Sequence, residues 1–353
     1  MEAMIPTLSY AAGVLTAIDQ RILPREERYM RLDTAEAVSD AIRTLAVRGA
    51  PAIGIAAAYG VAVEARRREP GADMETLRAV VSEAVGKLAS SRPTAYNLFS
   101  CLDRVKKSVS GFFGSPAEYV AAIEATAFAI HAEDLDKSRR IAESGLPLLP
   151  ANARAYSHCN AGGLATGGNG TSLSVLFAGH SAGRLSRVWV GETRPLLQGS
   201  RLTAWELAKR GIPYTVICDN MAASLMRKGE VDLVILGADR IARNGDFANK
   251  IGTYSLAVLA KHHGIPFYTA APLTTFDPDA QSGADIPVEE RDPSEVTGFA
   301  GTRVAPEGAV AWNPSFDVTP HELVTAIVTE CGLIYPPFRG NIDRVLRDAE
   351  GGV

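Results

Sequence analysis

The sequence predicts an α/β protein. A mostly helical N-terminal domain with a small strand pair precedes a C-terminal domain built on a parallel sheet. Two observations carry this reading. Up to about Asp134, apolar residues recur every three or four positions in alanine-dense segments, the period of helices with one buried face. From about Pro147, short β-branched runs alternate with helical ones, the pattern of parallel strands joined by crossover helices.

The elements follow in order. Two strand-like runs, GVLTAID and RYMRL, open the chain. Helices are expected over Thr34 to Val47, Ala52 to Arg67, Met74 to Ala89, Ala95 to Val109, and Pro116 to about Ser144. Glycine and proline punctuate the joins, as at Gly114 to Pro116. The domains are expected at 1–146 and 147–353. In the second, ARAYSH, RVWVG, YTVIC and DLVILGA read as strands, followed by helices from about Thr171, Leu202, Met221 and Lys250. PFYTA reads as a further strand, followed by a loop rich in Asp and Pro. DLVILGA lacks polar alternation, as a strand buried on both faces must. This half is therefore Rossmann-like.

Composition excludes several classes. The 353 residues are 46% hydrophobic and 22% charged, ordinary for a soluble globular chain of about two domains. The net charge of −4 gives no footprint for nucleic acid or an anionic membrane. The run Arg66-Arg67-Arg68 is flanked by glutamates and reads as a solvated helix end. No apolar run reaches the ~20 residues that span a bilayer, and MEAMIPTLSY lacks the form of a signal peptide. The four cysteines are scattered, which fits a reducing cytoplasm rather than a disulfide framework. Of the six histidines only His262 and His263 are adjacent, and neighbours do not share a helix face, so no metal is expected.

Chemistry gathers where open parallel sheets bind ligands, beyond the carboxyl ends of the strands. Cys159-Asn160 follows the first strand, Glu192-Thr193-Arg194 the second, Asp219-Asn220 the third, Asp239-Arg240 the fourth, and Pro272, Thr274 and Thr275 the fifth. A free cysteine is most often a core residue. Cys159, at a strand end beside the loop GGLATGGNG, is a candidate reactive thiol. Asp239 is a candidate general acid, with a helix cap or turn as the alternative. The glycine loop admits two readings, a long turn or a phosphate cradle. It matches neither GxGxxG nor a P-loop, so nicotinamide and ATP are disfavoured and no cofactor is expected. Arg48 in VRGAPAIG and Arg92 in SSRPTAYN precede helix starts, where arginine can clamp phosphate. Each is otherwise an ordinary surface arginine.

As a set, RGAPAIG, SRPTAYNL, HCNAGGLAT, GETRPLLQGSRLTAWEL, DNMAASLM, GADRIARNGDFANKIGTY and NPSFDVTP resemble the 5-methylthioribose-1-phosphate isomerases of methionine salvage. That family includes the regulatory α, β and δ subunits of initiation factor 2B. The resemblance spans nearly the whole chain. It implies isomerisation of a ring-closed aldose 1-phosphate to an open ketose phosphate, with Asp239 as proton donor and Cys159 as its partner. It also implies substrate contacts from Arg48, Gly49, Ala50, Arg92, Gln198, Asn249 and Lys250, and a homodimer formed through the Rossmann-like halves. Two positions depart from the family pattern: Asn169 where an aromatic precedes Gly-Thr, and Ser174 in place of a small residue. They bear on which 5-substituent the pocket takes. The alternatives are an isomerase of ribose 1,5-bisphosphate or 5-deoxyribose 1-phosphate, and a non-catalytic initiation-factor subunit. The site is expected to draw on both domains.

Overall fold

A computed structural model describes residues 6–93, 95–299 and 301–350. Thr94, within SRPTAYNL, and Met1 to Ile5, within the stretch read for a signal peptide, lie outside them. The chain divides into two units: Met1–Asp136 with Gly162–Gly170, and Lys137–Ala161 with Thr171–Val353. The division falls inside one long helix.

The first unit opens with three antiparallel strands, β1 (Leu8–Ala11), β2 (Val14–Ile18) and β3 (Tyr29–Leu32), one more than expected. LSYA has no β-branched residue to announce it. It is placed by the two-residue turn Ala12-Gly13, whose φ values of 49° and 76° match the twist of a hairpin. Helices α1 (Ala35–Arg43), α2 (Ala50–Arg68), α3 (Met74–Ala89), α4 (Tyr96–Ser108) and α5 (Pro116–Gly145) follow, close to the expected ranges. The Thr34 and Asp73 side chains cap α1 and α3. Helix α2 is the core: every residue from Ala52 to Ala65 is buried. Its small residues let α4 approach closely. A Cβ on Gly54 would lie 2.8 Å from Cys101 Sγ and 2.9 Å from the Asn97 carbonyl oxygen. The basic run ending α2 is occupied by carboxylates, Arg66 with Glu69 and Glu124, Arg67 and Arg68 with Glu64.

In the second unit the strands and helices alternate as expected: β4 (Ala153–Ser157), α6 (Ser172–Ser181), β5 (Leu185–Gly191), α7 (Ala204–Lys209), β6 (Tyr214–Ile217), α8 (Ala222–Arg227) and β7 (Leu233–Gly237). A five-residue π-helical turn, Gly199–Thr203, leads into α7. Then come β8 (Arg240–Ile241), β9 (Phe247–Lys250), α9 (Thr253–His262) and β10 (Phe267–Ala270). The remainder is α10 (Ser294–Thr297), β11 (Gly298–Phe299), β12 (Thr302–Arg303), β13 (Phe316–Thr319), β14 (Ala326–Thr329), β15 (Gly332–Ile334) and α11 (Phe338–Glu350). Seven strands form one sheet in the order β15-β14-β10-β7-β4-β5-β6, parallel except for β15.

One expected helix starts later than the sequence suggested. Asn249 and Lys250 lie in β9, and α9 begins at Thr253. The reason is a distant partner: β9 pairs with β13, which sets Asn249 opposite Asp317 and Lys250 opposite Phe316.

Strand β7 at the centre of the main sheet is buried on both faces, as DLVILGA required. Leu233 and Ile235 pack into one core with Ala155, Val188 and Tyr268. Val234 and Leu236 pack into the other with Tyr156, Phe247 and Phe267. Burying a side chain of this size stabilises by roughly 1.5–3 kcal/mol. The strand ends are thus anchored in a rigid layer.

Candidate active site

The chain enters the sheet at β4. It builds β5 and β6 to one side, then returns to build β7, β10 and β14 on the other. The reversal between β4 and β7 is a topological switch point, where open α/β sheets bind ligands. Cys159 lies two residues beyond the end of β4, and Asp239 two beyond the end of β7. The two strands are parallel neighbours.

Cys159 has φ 61°, in the left-handed region, which costs a non-glycine residue about 1–3 kcal/mol. Two buried threonines hold it there. The Cys159 N–H donates to Thr193 Oγ1 at 2.8 Å, and Thr203 Oγ1 donates to the Cys159 carbonyl at 2.6 Å. Thr193, itself at φ 66°, is fixed by Asp219, whose carboxylate accepts from the N–H groups of Thr193 and Arg194, both at 2.8 Å. Asn160 donates to Thr203 Oγ1 at 3.2 Å and to Glu206 at 2.8 Å. Gly199 lets the π-helical turn carrying Thr203 lie against the end of β5, since a Cβ there would overlap the Gly191 carbonyl oxygen.

His158, fully enclosed, joins this array to β9. Its Nε2 lies 2.9 Å from the Ile251 carbonyl, and its Nδ1 3.5 Å from Thr193 Oγ1 and 3.8 Å from Asp219. Burial pushes its pKa down, outweighing the Asp219 carboxylate. The ring is therefore neutral, with Nε2–H donating to Ile251.

The other residues expected on this unit have distinct settings. The Asp239 N–H donates to the Ala248 carbonyl at 2.9 Å, tying the Asp239 turn to β9. Asn249 is buried and donates to Thr253 Oγ1 at 2.9 Å. Lys250 is 8% exposed, with Nζ 5.0 Å from the centre of the Phe316 ring. Gln198 is 6% exposed, and its Oε1 has no hydrogen-bond partner among the described residues. A buried acceptor left so is costly, which marks Gln198 as a group for a ligand or water to complete. Asp317 accepts from the N–H groups of Gly252 and Tyr254 at 2.8 and 3.0 Å, and burial pushes its carboxyl pKa up.

In the first unit, Gly49 is the N-cap of α2 at φ 94°. A Cβ there would come within 2.5 Å of Ala165, so the glycine loop lies against this helix start. Ala50 opens the helix, with Arg48 just before it. Arg92 precedes the start of α4. Neither N-cap residue, Gly49 or Ala95, makes a side-chain cap, and the Gly54–Asn97 approach sets the first turns of the two helices side by side. A helix start with an arginine before it favours an anion.

The glycine loop itself is occupied. Gly167 N–H donates to Asp134 at 2.7 Å, and those of Gly168 and Gly170 to Thr166 Oγ1 at 3.1 Å. The Gly167 carbonyl meets His131 Nε2 at 2.9 Å. The N–H groups of Gly167, Gly168 and Gly170 are thus taken, and are not among the bare donors that a cradle would need. Ser174 donates to the Thr171 carbonyl at 2.6 Å, so its hydroxyl is spent on its own helix start.

One donor cluster lies apart. Asp246, His321 and Glu322 bring ligand atoms within 4.8 Å of one another. Asp246, however, already accepts from Asn244, from the Gly283 N–H and from the backbone N–H of His321, a loop-holding role.

Residues 46–336 match the Initiation factor 2 subunit family. The chain belongs to that family. A relative from Syntrophotalea carbinolica, named methylthioribose-1-phosphate isomerase, is 53% identical over 94% of this chain and 96% of its own. The structure of 5-methylthioribose 1-phosphate isomerase from Pyrococcus horikoshii OT3 is similar at TM-score 0.93, 44% identical, over 97% of this chain and 96% of its own. A structure from A. fulgidus, described as the translation initiation factor eIF-2B subunit delta, is similar at 0.89 and 43%, over 97% and 99%.

Within this initiation factor 2 subunit fold, sequence reasoning gave no role to His158, Thr203 or Asp317, and placed Thr193 and Asp219 only at the sheet edge. Thr193 and Asp219 carried a positional signal, beyond strand ends. Thr203 and Asp317 carried none, because their partners are distant in the chain.

Proposed function

We propose that this protein is an aldose–ketose isomerase that converts 5-methylthioribose 1-phosphate to 5-methylthioribulose 1-phosphate. About 50% identity over nearly the full length to relatives bearing that enzyme's name carries the reading. The placement of a thiol and a carboxylate at the switch point supports it. Asp239 is the acid and Cys159 the base, while Arg48, Gly49, Ala50, Arg92, Gln198, Asn249 and Lys250 hold the substrate.

A sugar 1-phosphate cannot open its own ring, because the ester blocks the anomeric hydroxyl. The protein must break the bond from C1 to the ring oxygen. Asp239 gives its proton to that oxygen, which becomes the C4 hydroxyl, and C1 becomes cationic. In one route the Cys159 thiolate takes the C2 hydroxyl proton while hydride moves from C2 to C1, leaving a ketone at C2. In the other, Cys159 removes the C2 hydrogen as a proton, an enol forms, a proton is delivered to C1, and the C2 hydroxyl gives up its proton to the Asp239 carboxylate to leave the ketone. We favour the hydride route, since a cationic C1 is a strong hydride acceptor.

The protein is proposed to act in the cytoplasm as a homodimer. No helix of the described residues is long and apolar enough to cross a membrane. The assay is turnover of 5-methylthioribose 1-phosphate beside ribose 1,5-bisphosphate and 5-deoxyribose 1-phosphate, with the ketose followed by NMR. No turnover of any of the three would favour the alternative of a non-catalytic initiation-factor subunit.

A further inference from the structure

Cys159 is held at both of its backbone groups, and in both cases by a threonine hydroxyl from a part of the chain far away in sequence. Thr193 and Thr203 are each 0% exposed, so neither hydroxyl exchanges its partner with solvent. Thr193 Oγ1 sits between three groups: it accepts from the Cys159 N–H, lies 3.0 Å from the Gly191 carbonyl, and lies 3.5 Å from His158 Nδ1. Thr203 Oγ1 accepts from Asn160 while donating to the Cys159 carbonyl. Both residues in the direct contact, Cys159 and Thr193, occupy the left-handed region, and Asp219 holds the Thr193 backbone there. A backbone conformation that this residue type disfavours persists only where its surroundings over-determine it, and this one is determined from two sides.

The geometry points to Thr193 and Thr203 as positioning residues for the Cys159 thiol, a clamp that sets where its sulfur stands relative to the sugar. Neither is a catalytic residue, since each acts on the Cys159 backbone. Valine puts a methyl where Thr193 has its hydroxyl, against the Cys159 N–H and the Gly191 carbonyl, whereas serine keeps that hydroxyl. Without it the Cys159 N–H loses its acceptor, the left-handed turn relaxes, and the thiol moves. A displacement of about 1 Å in a reacting group costs on the order of 100-fold in rate. This inference rests on Cys159 being the base of the proposed reaction.

The test uses the full chain with Thr193→Val, Thr193→Ser and Thr203→Val, each checked for folding by circular dichroism. Two readouts are taken: kcat and KM on 5-methylthioribose 1-phosphate, and the rate of Cys159 alkylation by iodoacetamide against pH, followed by peptide mass spectrometry. Thr193→Val is expected to lose about 10- to 100-fold in kcat, with KM within about threefold and the alkylation profile displaced. Thr193→Ser keeps the hydroxyl and is expected to stay within about threefold of the parent in both. If Thr193→Val does not fold, Thr203→Val carries the same expectation. Valine variants with parental kcat and an unchanged alkylation profile overturn the clamp, as does a serine variant that falls as far as the valine one. Cys159→Ala with full turnover would instead overturn the role of Cys159 in catalysis, while the alkylation profiles still decide whether the threonines set the thiol.

Discussion

Cys159 and Asp239 each stand two residues past the carboxyl end of a parallel strand, and the two strands, β4 and β7, are neighbours at the point where the sheet reverses its order of building. Eighty residues separate them in the chain. The sheet brings them to one edge because β7 crosses back beside β4 after β5 and β6 have been laid on the other side.

Asp239→Asn removes the acid while keeping its shape. Turnover should fall about 10²–10⁴-fold, with substrate affinity by calorimetry within about threefold. Turnover near the parental rate would remove Asp239 from the mechanism.

Arg48→Ala and Arg92→Ala should act on binding. A charge-assisted hydrogen bond to phosphate contributes about 1.5–3 kcal/mol, so KM should rise about 10- to 100-fold while kcat changes little. A fall in kcat at unchanged KM would place these arginines in the chemical step.

Reaction in D₂O separates the two routes. Hydride shift should leave C1 of the ketose almost free of deuterium by NMR. Substantial deuterium there would make the enol route the main one.

Stability should fall on the acid side, and His158 should contribute. Its folded pKa lies below the ordinary 6.5, so the unfolded chain binds the proton more readily. The stability from its neutral form is complete above pH 6.5 and is lost as pH falls through the depressed folded value. The slope is at most about 1.4 kcal/mol per pH unit for one proton. His158→Gln, which keeps a donor for Ile251, should show a shallower loss between pH 7 and pH 5 in urea denaturation. Equal slopes would assign the loss to other groups.

Gly199→Ala should unfold the turn that carries Thr203, because a Cβ has no room against the Gly191 carbonyl. Thermal melting should show a drop of about 2–4 °C per kcal/mol lost, the scale for a unit of this size.

By itself the sequence determined the class of each half. Periods near 3.6 marked the helices of the first unit, and apolar runs without alternation marked strands buried on both faces. Both signals are local, carried by residues that neighbour one another in the chain. The same logic placed Cys159 and Asp239 at strand ends, and the family strings then assigned them roles. Tertiary structure decided what depends on distant partners. Strand β1 exists because a two-residue turn folds it onto β2. Asn249 and Lys250 are strand residues because β13, more than sixty positions on, pairs with β9. The N–H groups of Gly167, Gly168 and Gly170 go to Asp134 and Thr166. The strained backbone of Cys159 is held by hydroxyls 34 and 44 residues away, a relation that no spacing in the sequence encodes, because hydrogen bonds are satisfied by proximity in space and the order of strands in the sheet sets that proximity.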